Sequence, residues 1–292
     1  DDREGPESCN TNNMMKLTQN LFRMTGDVRY ADYYERAMFN HILSTQHPEH
    51  GGYVYFTSAR PAHYRVYSAP NSGMWCCVGT GMENHGKYGE FIYTHTDDEL
   101  YVNLFVASQL NWKEKKFVIK QETNFPSEET VRLTVDSRKA QTLKIKIRCP
   151  WWVKPGEMKV ICKGKDYAVG AQPSSYIEIE RRWKKGDVIE VTMPMTITVE
   201  ELPNLPNYIA IMRGPILMGA RMGDYRLDGL VANDGRWAYI AHGPLVSLFD
   251  TPFLIGERDE IVEKLQGMQP VSGKPMHFTV PGLFEKKYAD LE

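Results

Sequence analysis

The chain has 292 residues, and 35 Lys+Arg against 37 Asp+Glu leave a formal charge of −2. So even a balance, with no long basic run, excludes the electrostatic footprint of a nucleic-acid binder, and no apolar stretch approaches the roughly 20 residues of a membrane helix. Hydrophobic residues at 42% and charged residues at 25%, with a mean hydropathy of −0.46, describe a folded globular protein of about two domains and exclude a disordered tail or a fibre.

The first ninety or so residues read as helical. Thr11 or Asn12 is placed to cap a helix from about Asn13 to Met24, with Leu17, Leu21 and Met24 at helical spacing. Thr25-Gly26-Asp27 stops it. A second helix is predicted over Val28 to Leu43, where Tyr30, Tyr33, Tyr34, Ala37, Met38, His41 and Ile42 share a face. Residues Gly51 to Cys77 are rich in turns and aromatics and read as a long functional loop or short hairpin. A third helix is predicted from Gly81 to Ile92.

The period then changes to two. Strands are predicted at Leu100–Ala107, Phe117–Thr123, Val131–Asp136, Leu143–Arg148, Met158–Cys162, Tyr176–Glu180 and Val188–Met193. Lys163-Gly164-Lys165-Asp166 and Lys185-Gly186-Asp187 are turns between them, and Lys113-Glu114-Lys115-Lys116 is a solvated turn. Many short strands at even spacing point to an antiparallel sandwich. Beyond Pro203 and Pro206, Tyr208–Arg213 and Ile216–Gly219 continue the β pattern. The expected organisation is α+β: helices over 1-95, a β-sandwich over 96-200, and a smaller, incomplete sandwich-like unit over 201-292.

Five cysteines form no tidy disulfide framework. Cys149 and Cys162 fall in strands and read as small buried residues. Cys9, Cys76 and Cys77 lie in or beside turns and helix starts. A bridge from Cys9 to either of the adjacent pair competes with a metal site, in which Glu7 would add an oxygen to three thiolates to make a tetrahedral zinc set. Cys9 and Cys76 are 67 residues apart, which is no zinc-finger spacing. Spacing alone favours buried thiols.

Three segments carry a resemblance: Glu4-Gly5-Pro6-Glu7-Ser8-Cys9-Asn10-Thr11, Tyr30-Ala31-Asp32-Tyr33-Tyr34-Glu35-Arg36-Ala37, and Trp75-Cys76-Cys77-Val78-Gly79-Thr80-Gly81-Met82-Glu83-Asn84-His85. They resemble the β-L-arabinofuranosidase group of glycoside hydrolases, families 127 and 146, and the Trp-Cys-Cys-Val-Gly form looks closer to 146. Arg148-Cys149-Pro150-Trp151-Trp152 and Arg213-Gly214-Pro215-Ile216-Leu217 resemble the group's β-sandwich segments.

The resemblance implies an (α/α)6 catalytic barrel followed by β-sandwich domains. About ninety residues cannot make twelve helices, so the expectation is a C-terminal piece of a longer protein, with the rest of the barrel upstream. It also implies zinc on Glu7, Cys9, Cys76 and Cys77, with Cys76 as the nucleophile that forms a thioglycosyl-enzyme. The group's acid/base Glu would lie before Asp1, and Glu4 does not match its position. The piece alone is therefore expected to be inactive. The implied substrate is a plant cell wall glycan containing arabinofuranose, and the implied location periplasmic or secreted. A carbohydrate-binding or structural β-sandwich protein with a structural zinc site is the competing reading.

Around the cysteines, His85 reads as a hydrogen-bonded core histidine, and Glu83 and Asn84 as helix-start residues. Trp75 and Tyr55 are each balanced between touching sugar and packing.

Overall fold

The computed structural model describes residues 4–223, 227, 229–243, 246–247, 251, 254 and 256–283. Helix α1 (Ser8–Thr25) buries Ser8, Asn12, Met15, Gln19 and Phe22 along one face. It starts five residues earlier than predicted. Glu7 occupies the position before it without a side-chain cap, and Gly26 at φ 68° closes it with its N–H on the Phe22 carbonyl. Helix α2 (Val28–Asn40) is capped by Asp27, whose side chain accepts from the Arg29 N–H. The predicted run to Leu43 tightens after Asn40 into a 3-10 turn over Ile42–Thr45.

The third helix departs most from expectation. Helix α3 is Cys76–Asn84, and a separate short helix α4 is Gly89–Ile92. The helix predicted to open at Gly81 thus begins five residues earlier, and Gly81 falls inside it, where a Cβ would lie 2.4 Å from the Tyr53 ring. Glu83 and Asn84 consequently end a helix and do not start one.

Short strand β1 (Tyr67–Ser68) precedes α3. After α4 come β2 (Tyr93–His95), β3 (Glu99–Val102), β4 (Ser108–Trp112), β5 (Phe117–Thr123), β6 (Thr130–Val135), β7 (Gln141–Cys149), β8 (Lys159–Cys162), β9 (Lys165–Asp166), β10 (Ser175–Trp183) and β11 (Val188–Thr192). They form a four-stranded sheet in the order β10-β7-β3-β2 and a six-stranded sheet in the order β4-β5-β6-β11-β8-β9. All pairs are antiparallel except β3 with β7. The alternation read from Lys144-Ile145-Lys146-Ile147 points Ile145 and Ile147 inward. There they join Leu100, Val102, Ile179 and Trp183 opposite Phe117, Ile119, Leu133, Val160, Ile189 and Val191.

The predicted strand over Leu100–Ala107 stops at Val102. Beyond it the chain crosses between two cores: Leu104 packs with Phe22, Tyr34 and Phe91 of the helical part, and Phe105 packs inside the sandwich. Lys163 and Gly164, both at positive φ, form a tight turn, so Lys165-Asp166 is strand β9 and not turn.

The remainder holds β12 (Ile197–Leu202), β13 (Leu205–Arg213) and β14 (Ile216–Met218) in one antiparallel sheet. Short strand β15 (Val231–Ala232) returns to β1. Helix α5 (Arg258–Gln266) places Ile261 and Leu265 against Val199, Ile209 and Ile211, and β16 (Gln269–Pro270) pairs with β17 (Phe278–Thr279). The expected smaller sandwich thus takes, among the described residues, the form of a three-stranded sheet under a helix, and residues 284–292 lie outside the described residues. The expected break between 200 and 201 falls inside β12, which pairs with β13 and so goes with the C-terminal unit. Together the described residues make a mixed α+β chain with several antiparallel sheets, and α1–α4 close no barrel among them.

A buried ionic cluster joins helices to sandwich. Arg148 of β7, wholly inaccessible, donates to Asp32 at 2.6 Å, to Glu35, and to the Asn103 carbonyl at 2.6 Å. Trp152 Nε1 donates to Glu35 Oε2 at 2.9 Å, and Ser174 Oγ donates to Asp32 at 2.6 Å.

Candidate metal centre

The four residues singled out by resemblance meet in space. One ligand atom from each of Glu7, Cys9, Cys76 and Cys77 lies within 4.8 Å of every other. Glu7 and Cys9 flank the start of α1. Gly5 makes their placement possible: at φ 68° a Cβ would fall 2.0 Å from the Thr57 carbonyl, so only glycine lets the chain run this close to residues 56–58. There Glu7 bridges to Phe56 and the Thr57 N–H donates to the Pro6 carbonyl at 3.2 Å. Cys76 and Cys77 are the first two residues of α3. Cys77 is buried and Cys76 is exposed, so one thiol anchors the cluster while its neighbour faces outward.

The five cysteines are free thiols. Cys9 Sγ lies 3.5 Å from Cys76 Sγ and 3.5 Å from Glu7 Oε2. A tetrahedral zinc with bonds of about 2.0–2.3 Å needs donors roughly 3.5–3.8 Å apart. The two Cys9 distances match that spacing, and three sulfurs with one carboxylate oxygen, all within 4.8 Å of one another, suit a borderline-soft divalent ion, so the cluster could bind a metal.

The three thiols differ electrostatically. Burial pushes Cys9 well up and raises Cys77 as well. Burial also acts upward on Cys76, but hydrogen bonds with Tyr55, Cys9 and Cys77 outweigh it and bring Cys76 below the ordinary thiol value. The Tyr55 hydroxyl lies 3.2 Å from Cys76 Sγ and can donate to the thiolate. The positive end of α3 acts in the same sense. Cys76 is thus the member most ready to carry negative charge.

Tyr55, weighed only evenly from sequence, stands against the sulfur of Cys76 and is buried. Trp75 is partly exposed, and its indole N–H donates to the Asp234 carbonyl at 2.8 Å. His85 bonds Tyr88 at 2.9 Å and stacks near Tyr53, the local role expected of it. Glu83 pairs with Lys16. Sequence reading missed residues 231–241 altogether. β15 runs parallel to β1, and Ala232, Tyr239, Ile240 and Ala241 are buried with Tyr55, Phe56, Cys77 and Val78. Arg236 from this segment reaches Glu7. No local spacing links residues so far apart, and nothing in the sequence around Arg236 signals the contact.

Comparison with known proteins now decides the family. Residues 1–90 match the catalytic-domain model of the GH127 β-L-arabinofuranosidases, and residues 99–195 match that family's middle-domain model. Together the two matches take in well over half of the chain. The chain belongs to the GH127 family. Residues 198–292 match a domain of unknown function. No curated protein matches the chain. Among solved structures, a glycoside hydrolase matches at 28% identity and TM-score 0.62 over 72% of this chain and 37% of its own. A GH127 β-L-arabinofuranosidase from Geobacillus stearothermophilus T6 matches at 25% and 0.62, over 74% of this chain and 36% of its own. A GH127 β-arabinofuranosidase matches at 25% and 0.61, over 74% and 38%. The chain thus spans little more than a third of each of these relatives, and the two family models it matches by name are those of family 127.

Proposed function

We propose that the protein to which this chain belongs is a retaining β-L-arabinofuranosidase acting on arabinofuranose-containing plant cell wall glycans, with Cys76 as nucleophile and Glu7, Cys9, Cys76 and Cys77 as zinc ligands. The observation that carries this reading is the convergence of one carboxylate and three thiols around an exposed Cys76. The family membership and the names of the similar structures support the substrate class. Helices α1–α4 are the last helices of an (α/α)6 barrel in this reading, and an upstream segment supplies the remainder together with the acid/base Glu.

Bound zinc would hold the cysteines as thiolates near neutral pH. Cys76 Sγ attacks the anomeric carbon, the bond to the leaving oxygen breaks, and the upstream acid delivers a proton to that oxygen. Water, giving a proton to the upstream carboxylate now acting as base, then attacks the anomeric carbon, and the C–S bond breaks to release the Cys76 thiolate. The net outcome is retention, the two-step course in which sulfur takes the place of a carboxylate. Tyr55 stabilises Cys76 as a thiolate before attack and again when it leaves. Glu7 is not available as the acid, because its oxygens are engaged by Arg236 and Cys9.

The test is covalent trapping in the full-length protein. A slow arabinofuranosyl substrate is added, the reaction is quenched, and peptides are mapped by mass spectrometry. Addition of one pentosyl mass to the Cys76 peptide is expected. A sugar on any other residue, or turnover persisting in Cys76→Ala, would refute the assignment.

A further inference from the structure

We infer that Arg236 is a positioning residue for Glu7, holding one carboxylate oxygen so that only the other is presented to the ion, and that the C-terminal unit therefore completes the metal centre. This rests on the metal reading above. Arg236 Nη2 lies 2.9 Å from Glu7 Oε1, while Cys9 Sγ lies 3.5 Å from Glu7 Oε2. The two oxygens face different partners. A carboxylate without such a partner can rotate and offer both oxygens, which raises the coordination number above the four of a closed thiolate site. Pinning Oε1 limits Glu7 to a single bond.

The guanidinium is itself fixed in place. Its carbon sits 5.1 Å from the centre of the Tyr55 ring, 5.0 Å from Trp237 and 5.8 Å from Phe56. Arg suits this position better than Lys because a planar cation can stack and direct its N–H groups at the same time. The segment that carries it is anchored on both sides, by the β1–β15 pair and by the Trp75 indole on the Asp234 carbonyl. Charge points the same way: three thiolates and a carboxylate exceed the charge of a divalent ion, and a cation beside the carboxylate offsets part of the excess.

Arg236 and Glu7 side chains are 36% and 32% exposed. An ion pair so open to water adds little to folding stability, whereas removing a group that orients a metal ligand typically weakens metal affinity roughly 10–100-fold. The two roles therefore separate in one experiment. Full-length wild type, Arg236→Met and Arg236→Lys are loaded with zinc. Zinc release to a chromogenic chelator, zinc X-ray absorption and melting of the metal-free proteins are then measured. Wild type is expected to show three sulfurs and one oxygen around zinc. Arg236→Met should release zinc about 10–100-fold faster at an unchanged metal-free melting temperature, with partial recovery in Arg236→Lys. Wild-type release by a folded Arg236→Met, or two Glu7 oxygens on the wild-type ion, would overturn the inference and leave the metal reading standing. If Arg236→Met does not fold, Arg236→Lys decides: release at the wild-type rate overturns the positioning role, and faster release supports it. A wild-type protein that binds no zinc would remove the metal reading and this inference together.

Discussion

Arg148→Met should be among the most destabilising single changes in this chain. The Arg148 side chain has no solvent access, and the partners it would abandon, Asp32 and Glu35, are 9% and 1% exposed. Asp32 would keep Ser174 at 2.6 Å, but Glu35 would keep only the Trp152 indole at 2.9 Å. Burial already pushes the Glu35 carboxyl up, and the charge of Arg148 is what pulls it back. Removing one partner of a buried ion pair costs about 3–5 kcal/mol, because a desolvated charge is left behind. At about 2–4 °C per kcal/mol, the melting temperature should drop by on the order of 10 °C. Urea unfolding with linear extrapolation measures the loss directly. Glu35→Gln in the Arg148→Met background should recover a large part of it, since the uncompensated carboxylate is then gone. A loss under about 1 kcal/mol for Arg148→Met, or strict additivity in the double variant, would show that the cluster does not act as a charge-paired unit.

Other outcomes follow from the site. Elemental analysis of the full-length protein should give about one zinc per chain, and Cys9→Ser and Cys76→Ala should each lose most of it; retention in both would refute a shared cluster. In metal-free protein, Tyr55→Phe removes the hydrogen bond that favours the Cys76 thiolate, so iodoacetamide should alkylate Cys76 about 5-fold more slowly at pH 7, the effect of roughly 1 kcal/mol; an unchanged rate would refute that role. His41 and His85 are both held below the ordinary histidine value of 6.5, first by burial and, for His41, then by Arg65. The unfolded chain therefore takes protons that the folded chain refuses, so stability is full above that value and falls as pH drops below it. Melting curves between pH 5 and 8 should show this slope, and the His41→Gln/His85→Gln variant should flatten it; an identical slope would assign the pH dependence elsewhere.

The β part was the most legible in the sequence because its alternation reports burial directly. Phe117–Thr123 is a strand with the bounds that alternation predicts. The polar β4 and the β12 segment, Ile-Thr-Val-Glu-Glu-Leu, were passed over, because they pair at or near sheet edges where fewer inward residues mark them. The helix over Cys76–Asn84 was misplaced because Gly79 and Gly81 weaken its helical signal, and at Gly81 the glycine is required by the close approach of the Tyr53 ring. Glu7, Cys9, Cys76 and Cys77 were recognisable through family likeness and not through spacing, since the cluster forms only when α1 packs against α3. Arg236 was illegible on either ground: its partner lies 229 residues earlier in the chain.

That separation also has a consequence in time. Asp234 follows Trp75 by 159 residues. At synthesis rates of about 5–20 residues per second, the cysteines leave the ribosome on the order of 10–30 seconds before the segment that packs over Cys77. Throughout that interval Cys76 and Cys77 are a vicinal pair of uncovered thiols within reach of oxidants and competing metals. On the zinc reading, early occupation would protect them, and the order in which metal and the C-terminal segment arrive would set how much newly made protein reaches an intact centre.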